Sequence, residues 1–230
     1  MTEIALIVGT GSGLSASLAR LFAKNDMKVA LAARKPQKLD ALARETGARV
    51  YACDAASRAD VAALFKSVAT DLGTPDVVAY NPSYRTRGPL IELDPVDVEK
   101  ALMVTCYGGF LVGQAATRLM LERGRGSILF TGASASVKGY AQSAPFAMGK
   151  FGLRGLVQSM ARELQPKNIH VAHFVIDGGI RQQNDPRGNQ RGADGLLEPD
   201  AIAETYLHVH RQHRSAWTWE VELRPWVETF

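Results

Sequence analysis

Short runs of β-branched and aliphatic residues alternate along this chain with longer stretches whose apolar positions recur every three or four residues. Ile4 to Val8 is unbroken apolar, the pattern of a strand covered on both faces, and Leu14, Leu18, Leu21 and Phe22 then fall on one helical face. Lys28 to Ala33 predicts a second strand, Pro36 to Thr46 a second helix and Arg49 to Cys53 a third strand. Val61, Leu64, Phe65, Val68 and Leu72 keep helical spacing until Gly73-Thr74-Pro75 ends the run, and Asp76 to Tyr80 reads as a fourth strand. One long helix is expected from Asp94 to Glu122, with Asp94 as its cap and Pro95 just inside. Ser127 to Thr131 and His170 to Ile176 predict two further strands around a helix from Pro145 to Leu164. Glu198 to His210 is the last expected helix and Ala216 to Leu223 the last strand, with Trp217 and Trp219 alternating along it.

Strands separated by helices of this length pair in parallel through right-handed crossovers. The expected fold class is therefore α/β: a doubly wound Rossmann-type parallel sheet of about seven strands with helices on both faces, formed as one domain over residues 1–230. The stretch from Gly178 to Gly195 breaks the alternation, being rich in Gly, Arg, Asn, Gln and Asp. It follows the carboxyl end of a strand, where open α/β sheets bind ligands, so a substrate lid is expected at about 178–197.

Composition narrows the function. The chain is 46% hydrophobic and 22% charged, enough to build a core without disulfides or metal. Its net charge of +4 is spread out, so a nucleic-acid partner is not expected, and some cations are free to serve an anionic cofactor or substrate. Cys53 and Cys106 have no disulfide or zinc spacing, and His208, His210 and His213 read as the polar face of the last helix; no metal is expected. No apolar run approaches the roughly 18 residues of a membrane span, and the first strand starts near residue 3, so a cytoplasmic protein is expected.

The turn after the first strand reads Gly9-Thr10-Gly11-Ser12-Gly13-Leu14-Ser15 and opens directly into a helix. Glycines there let backbone approach a pyrophosphate, which sits against the amides of the helix N-terminus. About twenty residues on, where an acid would accept from an NAD ribose, stands Ala33-Arg34-Lys35. Two cations suit a 2′-phosphate, so the expected cofactor is NADP(H) rather than NAD(H).

Over nearly its full length the chain resembles the short-chain dehydrogenase/reductase family. Gly9 and Gly13 match the family's Thr-Gly-x-x-x-Gly-x-Gly loop, whereas Val8 and Ser15 depart from it. Asp54 matches an aspartate that contacts adenine, and Asn81 matches part of an Asn-Asn-Ala-Gly segment that here reads Tyr80-Asn81-Pro82-Ser83. The resemblance implies cofactor contacts from Gly9, Gly11, Ser12, Gly13, Leu14, Arg34, Lys35, Asp54, Asn81, Lys150, Asp177 and Gly178. It also implies a homodimer or homotetramer packed through the C-terminal region.

The same resemblance implies hydride transfer between a nicotinamide and a carbonyl or alcohol. A family tyrosine moves the proton, a lysine four residues later supports it, a serine about a dozen residues earlier holds the substrate oxygen, and an asparagine supports the lysine through water. Lys150 falls at the lysine position within Phe151-Gly152-Leu153, and Ser134 at the serine position within about a residue. Phe146 stands at the tyrosine position, Thr105 at the asparagine position, and Asp177-Gly178 where the family has Pro-Gly. Phenylalanine has no hydroxyl to titrate. Tyr140, Tyr84 and Asp177 are candidate replacements, though each also reads as an ordinary residue: a loop aromatic, a pocket-rim aromatic and a turn cap. Arg85, Arg87 and Arg181 flank the expected cleft and leave an anionic small-molecule substrate open. Three functions remain: an NADP(H)-dependent oxidoreductase with a non-standard or weakened proton donor, a non-catalytic NADP(H)-binding sensor or interaction protein, and a lyase or isomerase on the same scaffold.

Overall fold

The apolar runs become strands because each must be covered on both sides, and a parallel sheet wrapped by helices is the arrangement that does so. In the computed structural model, which describes residues 2–182, 186–187, 192 and 194–228, the strands are β1 (Ile4–Val8), β2 (Lys28–Ala33), β3 (Arg49–Ala52), β4 (Val77–Tyr80), β5 (Gly126–Thr131), β6 (Ile169–Ile176) and β7 (Glu220–Leu223). They form one parallel sheet in the order β3-β2-β1-β4-β5-β6-β7. The order reverses between β1 and β4, the switch point at which such sheets open a crevice.

Side chains alternate between two cores. Ala5 and Ile7 of β1 face α1 (Leu14–Lys24), α2 (Asp40–Thr46) and the last helix, while Leu6 and Val8 face the opposite layer. That opposite layer is α3 (Arg58–Asp71), α5 (Gly108–Arg123) and α6 (Ala144–Leu164), with α4 (Pro95–Leu102) leading into α5. The last helix, α7 (Pro199–His210), buries Ile202, Tyr206 and Val209 against β5 and β6, with the Tyr206 ring stacked on Phe174.

Three local expectations are corrected. The single helix expected from Asp94 to Glu122 is interrupted by a π turn over Met103–Tyr107, where the Tyr80 hydroxyl donates to the Val104 carbonyl at 2.5 Å. The second helix begins as a 3₁₀ turn, Pro36–Leu39, before α2. The last strand is only Glu220–Leu223; Trp217 precedes it, donating its indole N–H to Gln212 and stacking on His170 at 4.6 Å. An alternating polar and aromatic pattern marks a strand, but here that indole pairing draws the chain into a turn first.

The lid expected at 178–197 falls in part on residues 183–185, 188–191 and 193, which lie outside the described residues. The ends of that segment do meet: Ile180 bridges Leu197, Leu197 donates to the Gly179 carbonyl and Arg181 to the Leu197 carbonyl.

Candidate active site

The glycine turn is held from below. Gly9 and Thr10 donate their amides to the Ala32 carbonyl of β2, and the Thr10 hydroxyl donates to Ile7. Gly9 has φ +83°, and a Cβ there would come 2.6 Å from Pro82, so both conformation and space require glycine. Gly11 and Gly13 instead face open space, and Gly13 begins α1 without a side-chain cap. The first-turn amides therefore point, unpartnered by any side chain, into a space that a pyrophosphate would suit.

Ser15, where the resemblance brings backbone close to phosphate, is turned inward. Its hydroxyl donates to the Gly9 carbonyl and accepts from the Asn81 amide at 2.6 Å, leaving the turn's outer side clear. Arg34 and Lys35 follow β2 as exposed residues that form no ion pair among the described residues. Asp54 follows β3, accepting the Ala56 amide with one carboxylate oxygen. Gly-rich turn, cationic pair and acid thus sit at the carboxyl ends of β1, β2 and β3 in turn, and these residues fit a dinucleotide.

Across the switch point lies a cleft of about 580 Å³. Asn81, Ser134, Phe146, Lys150, Asp177 and Gly178 all line it, so six residues expected at the site are brought to one cavity. Through its bond to Ser15, Asn81 joins this cleft to the glycine turn. Lys150 is 3% exposed, and its Nζ donates to the Thr131 carbonyl of β5 at 2.7 Å. Burial pulls its pKa down to about 7, because the ammonium has lost its water and no carboxylate among the described residues replaces it. The Phe146 ring stands one helical turn before it, 5.9 Å from Nζ, with the Arg85 guanidinium 4.8 Å from the ring centroid.

Other expected residues are placed elsewhere or employed otherwise. Thr105 is buried beneath the cleft on the π turn, where its hydroxyl accepts from the Tyr84 amide. The Tyr84 hydroxyl turns to Asp97 of α4, and that bond raises its pKa; Tyr84 does not line the cleft, whereas Tyr140 does. Asp177 caps no turn: its carboxylate receives Lys138 at 3.2 Å and Arg224 at 3.3 Å. Arg181 pairs with Glu198 and leaves the lining to Arg85, Arg87 and Arg187. The His210 side chain is only 7% exposed and bonds Ser127 and Glu3, so it does not belong to the polar face, because α7 turns it toward the base of β5.

One arrangement escapes sequence reasoning altogether. Ser136 bonds His173 Nε2 at 3.3 Å, His173 Nδ1 bonds Glu220 at 3.0 Å, and Arg154 of α6 grips Glu220 at 2.6 and 2.8 Å. Burial pulls the His173 pKa down to about 4, so the ring is neutral, with its Nδ1–H donated to Glu220 and Nε2 accepting from Ser136. Ser136 in turn accepts the Ala133 amide, which fixes the short turn that presents Ser134 to the cleft. The available signal was a pair of histidines, His170 and His173, inside a strand otherwise apolar.

A short chain dehydrogenase family model matches residues 3–184. Among curated proteins, the chain is 30% identical over 224 residues to "(21S)-21-acetoxyl-apo-melianone synthase SDR" of Melia azedarach, covering 90% of this chain and 82% of that protein. Among solved structures, a short-chain dehydrogenase from Rhodopseudomonas palustris superposes with a TM-score of 0.84 at 34% identity, covering 97% of this chain and 99% of that one. A metagenomic short-chain oxidoreductase solved in complex with NADP gives a TM-score of 0.84 at 27% identity, covering 97% of each chain. With the glycine turn, the switch-point cleft and the buried lysine in place, the chain belongs to the short chain dehydrogenase family.

Proposed function

We propose that this chain is an NADP(H)-dependent oxidoreductase that interconverts a carbonyl and an alcohol, and that Lys150 is its weakened proton donor. The observation that carries the reading is a buried lysine, with no carboxylate partner among the described residues, in a cleft that also holds Ser134 and whose Asn81 bonds Ser15 of a glycine turn with open amides. NADP(H) bound there would supply or accept the hydride. The α1 amides would hold the pyrophosphate, and Arg34 and Lys35 the 2′-phosphate, whose charge no acid at that position would repel. The NADP complex of the metagenomic relative favours the same coenzyme.

The chain's own task is to steady the carbonyl oxygen and move one proton. The Ser134 hydroxyl donates to that oxygen. Phe146, at the position the family resemblance gives to tyrosine, contributes only a ring. The Lys150 ammonium releases a proton to the nascent alkoxide and becomes a neutral amine, which takes a new proton from solvent through the cleft. Its lowered pKa makes that release feasible near neutrality.

A carbonyl and alcohol panel with NADPH tests the proposal. Turnover clearly above a Lys150→Ala control is expected; its absence across the panel would remove it. Phe146 favours a second reading, a non-catalytic NADP(H)-binding protein, which predicts tight coenzyme binding with no turnover at all.

A further inference from the structure

The cleft is unevenly charged. Arg85 and Arg87, from the loop after β4, and Arg187, from the segment after β6, all line it. Among the described residues neither Arg85 nor Arg87 forms an ion pair. The carboxylates of the lining are Asp177, already held by Lys138 and Arg224, and Glu228 near the C-terminus. Burial, and then the like charges of Arg87 and Arg187, pull the Arg85 guanidinium below its usual pKa. Arg85 and Arg87 repel one another, and an anion between them would relieve that repulsion.

Arg85 is also aimed. Its guanidinium stacks on Phe146 at 4.8 Å, and the same ring is 5.9 Å from Lys150 Nζ, so the two cations lie within about 11 Å of each other. The Phe146 ring offers its face to the guanidinium and no acceptor for its N–H groups. Among the described residues nothing occupies the edge of that fork, which suits two oxygens at once.

We infer that Arg85, leaning on Phe146 and assisted by Arg87, binds an anionic group on the substrate, so that the substrate class is short oxo compounds bearing a carboxylate or a phosphate. The inference rests on the oxidoreductase reading for the carbonyl, but the anion subsite is testable separately. It gives Phe146 a role, as the support of a specificity-determining arginine.

Phenylglyoxylate, its neutral methyl ester and benzoylphosphonate distinguish the possibilities, with NADPH oxidation as the readout. The wild-type protein is expected to favour phenylglyoxylate or benzoylphosphonate over the ester by about 10- to 100-fold in kcat/KM, the worth of a charge-assisted fork. Whichever anion is preferred identifies the carboxylate or the phosphate as the natural handle. In Arg85→Gln the preference should fall toward unity, while affinity for NADPH stays within about twofold. Equal use of acid and ester by the wild type, or an undiminished preference in Arg85→Gln, would overturn the subsite and leave the oxidoreductase reading standing. Should no carbonyl be reduced, calorimetry of phenylglyoxylate and benzoylphosphonate on the NADP⁺-loaded protein decides the matter. Binding weakened about tenfold or more in Arg85→Gln upholds the subsite without the reaction, and no binding of either overturns it.

Discussion

Replacing Lys150 and following the rate against pH tests the proposed chemistry where it is most exposed. The ammonium has lost its hydration, which lowers its pKa from 10.5 to about 7, and it donates to the Thr131 carbonyl. Carbonyl reduction uses the protonated form, so kcat/KM should be level on the acid side and fall tenfold for each pH unit above the midpoint. Between about pH 6 and about pH 9 a midpoint of about 7 gives a fall of about 100-fold. The phosphates of a bound coenzyme favour the ammonium and its added burial the neutral amine, so the midpoint shifts by their difference while the inflection remains. Alcohol oxidation needs the neutral amine and should rise across the same interval. Lys150→Arg keeps the cation but cannot release its proton, so the inflection should vanish. Lys150→Met should lose about 10²- to 10⁴-fold in kcat. NADPH oxidation at saturating coenzyme, with NADPH affinity measured by calorimetry, separates loss of chemistry from loss of binding. A profile flat from acid to alkaline pH, or an inflection that survives in Lys150→Arg, would refute the assignment.

Three further outcomes are expected. Phe146→Tyr adds a hydroxyl beside Lys150 and should raise kcat by about 10²- to 10⁴-fold; no gain would mean that the cleft does not place a carbonyl against this ring. Arg34→Ala should weaken NADPH by about 10- to 100-fold and leave NADH within about twofold, as read by calorimetry, whereas equal losses would contradict 2′-phosphate recognition. His173 should make the fold acid-sensitive: the unfolded chain takes its proton near 6.5, the folded one only at about 4. That stability is whole above pH 6.5 and drains as pH falls from there to about 4, to a total of about 3 kcal/mol. Urea unfolding of wild type and His173→Gln at both ends of this window checks it, and parallel pH dependences would count against a buried neutral histidine.

Much of the scaffold was legible one element at a time. Whether Ala5 and Ile7 or Leu6 and Val8 face a given layer follows from strand period alone, and the helix faces of α1, α3 and α6 follow from their spacing of Leu, Val and Phe. The glycine turn was equally local, since a chain that must leave a strand, turn sharply and present its amides within seven residues has few ways of being written. Because these patterns answer to neighbours a few residues away, the residue order carried the fold class, the glycine turn and the helix that bears Lys150.

What stayed hidden depends on partners far apart in the chain. Arg85 meets Phe146, Lys138 and Arg224 meet Asp177, and Ser136 meets His173 and Glu220 only because the crossovers place β4, β5, β6 and β7 side by side. The long helix runs on through Met103–Tyr107, and its π turn there likewise answers to the Tyr80 hydroxyl of another strand. Periodicity records which face of an element is apolar, and it is silent on which charge or hydroxyl will stand opposite. A lysine's environment is set by everything packed around it, so residue order could locate Lys150, while only the assembled sheet decided that its ammonium would be buried, bonded to the Thr131 carbonyl and one ring away from an arginine.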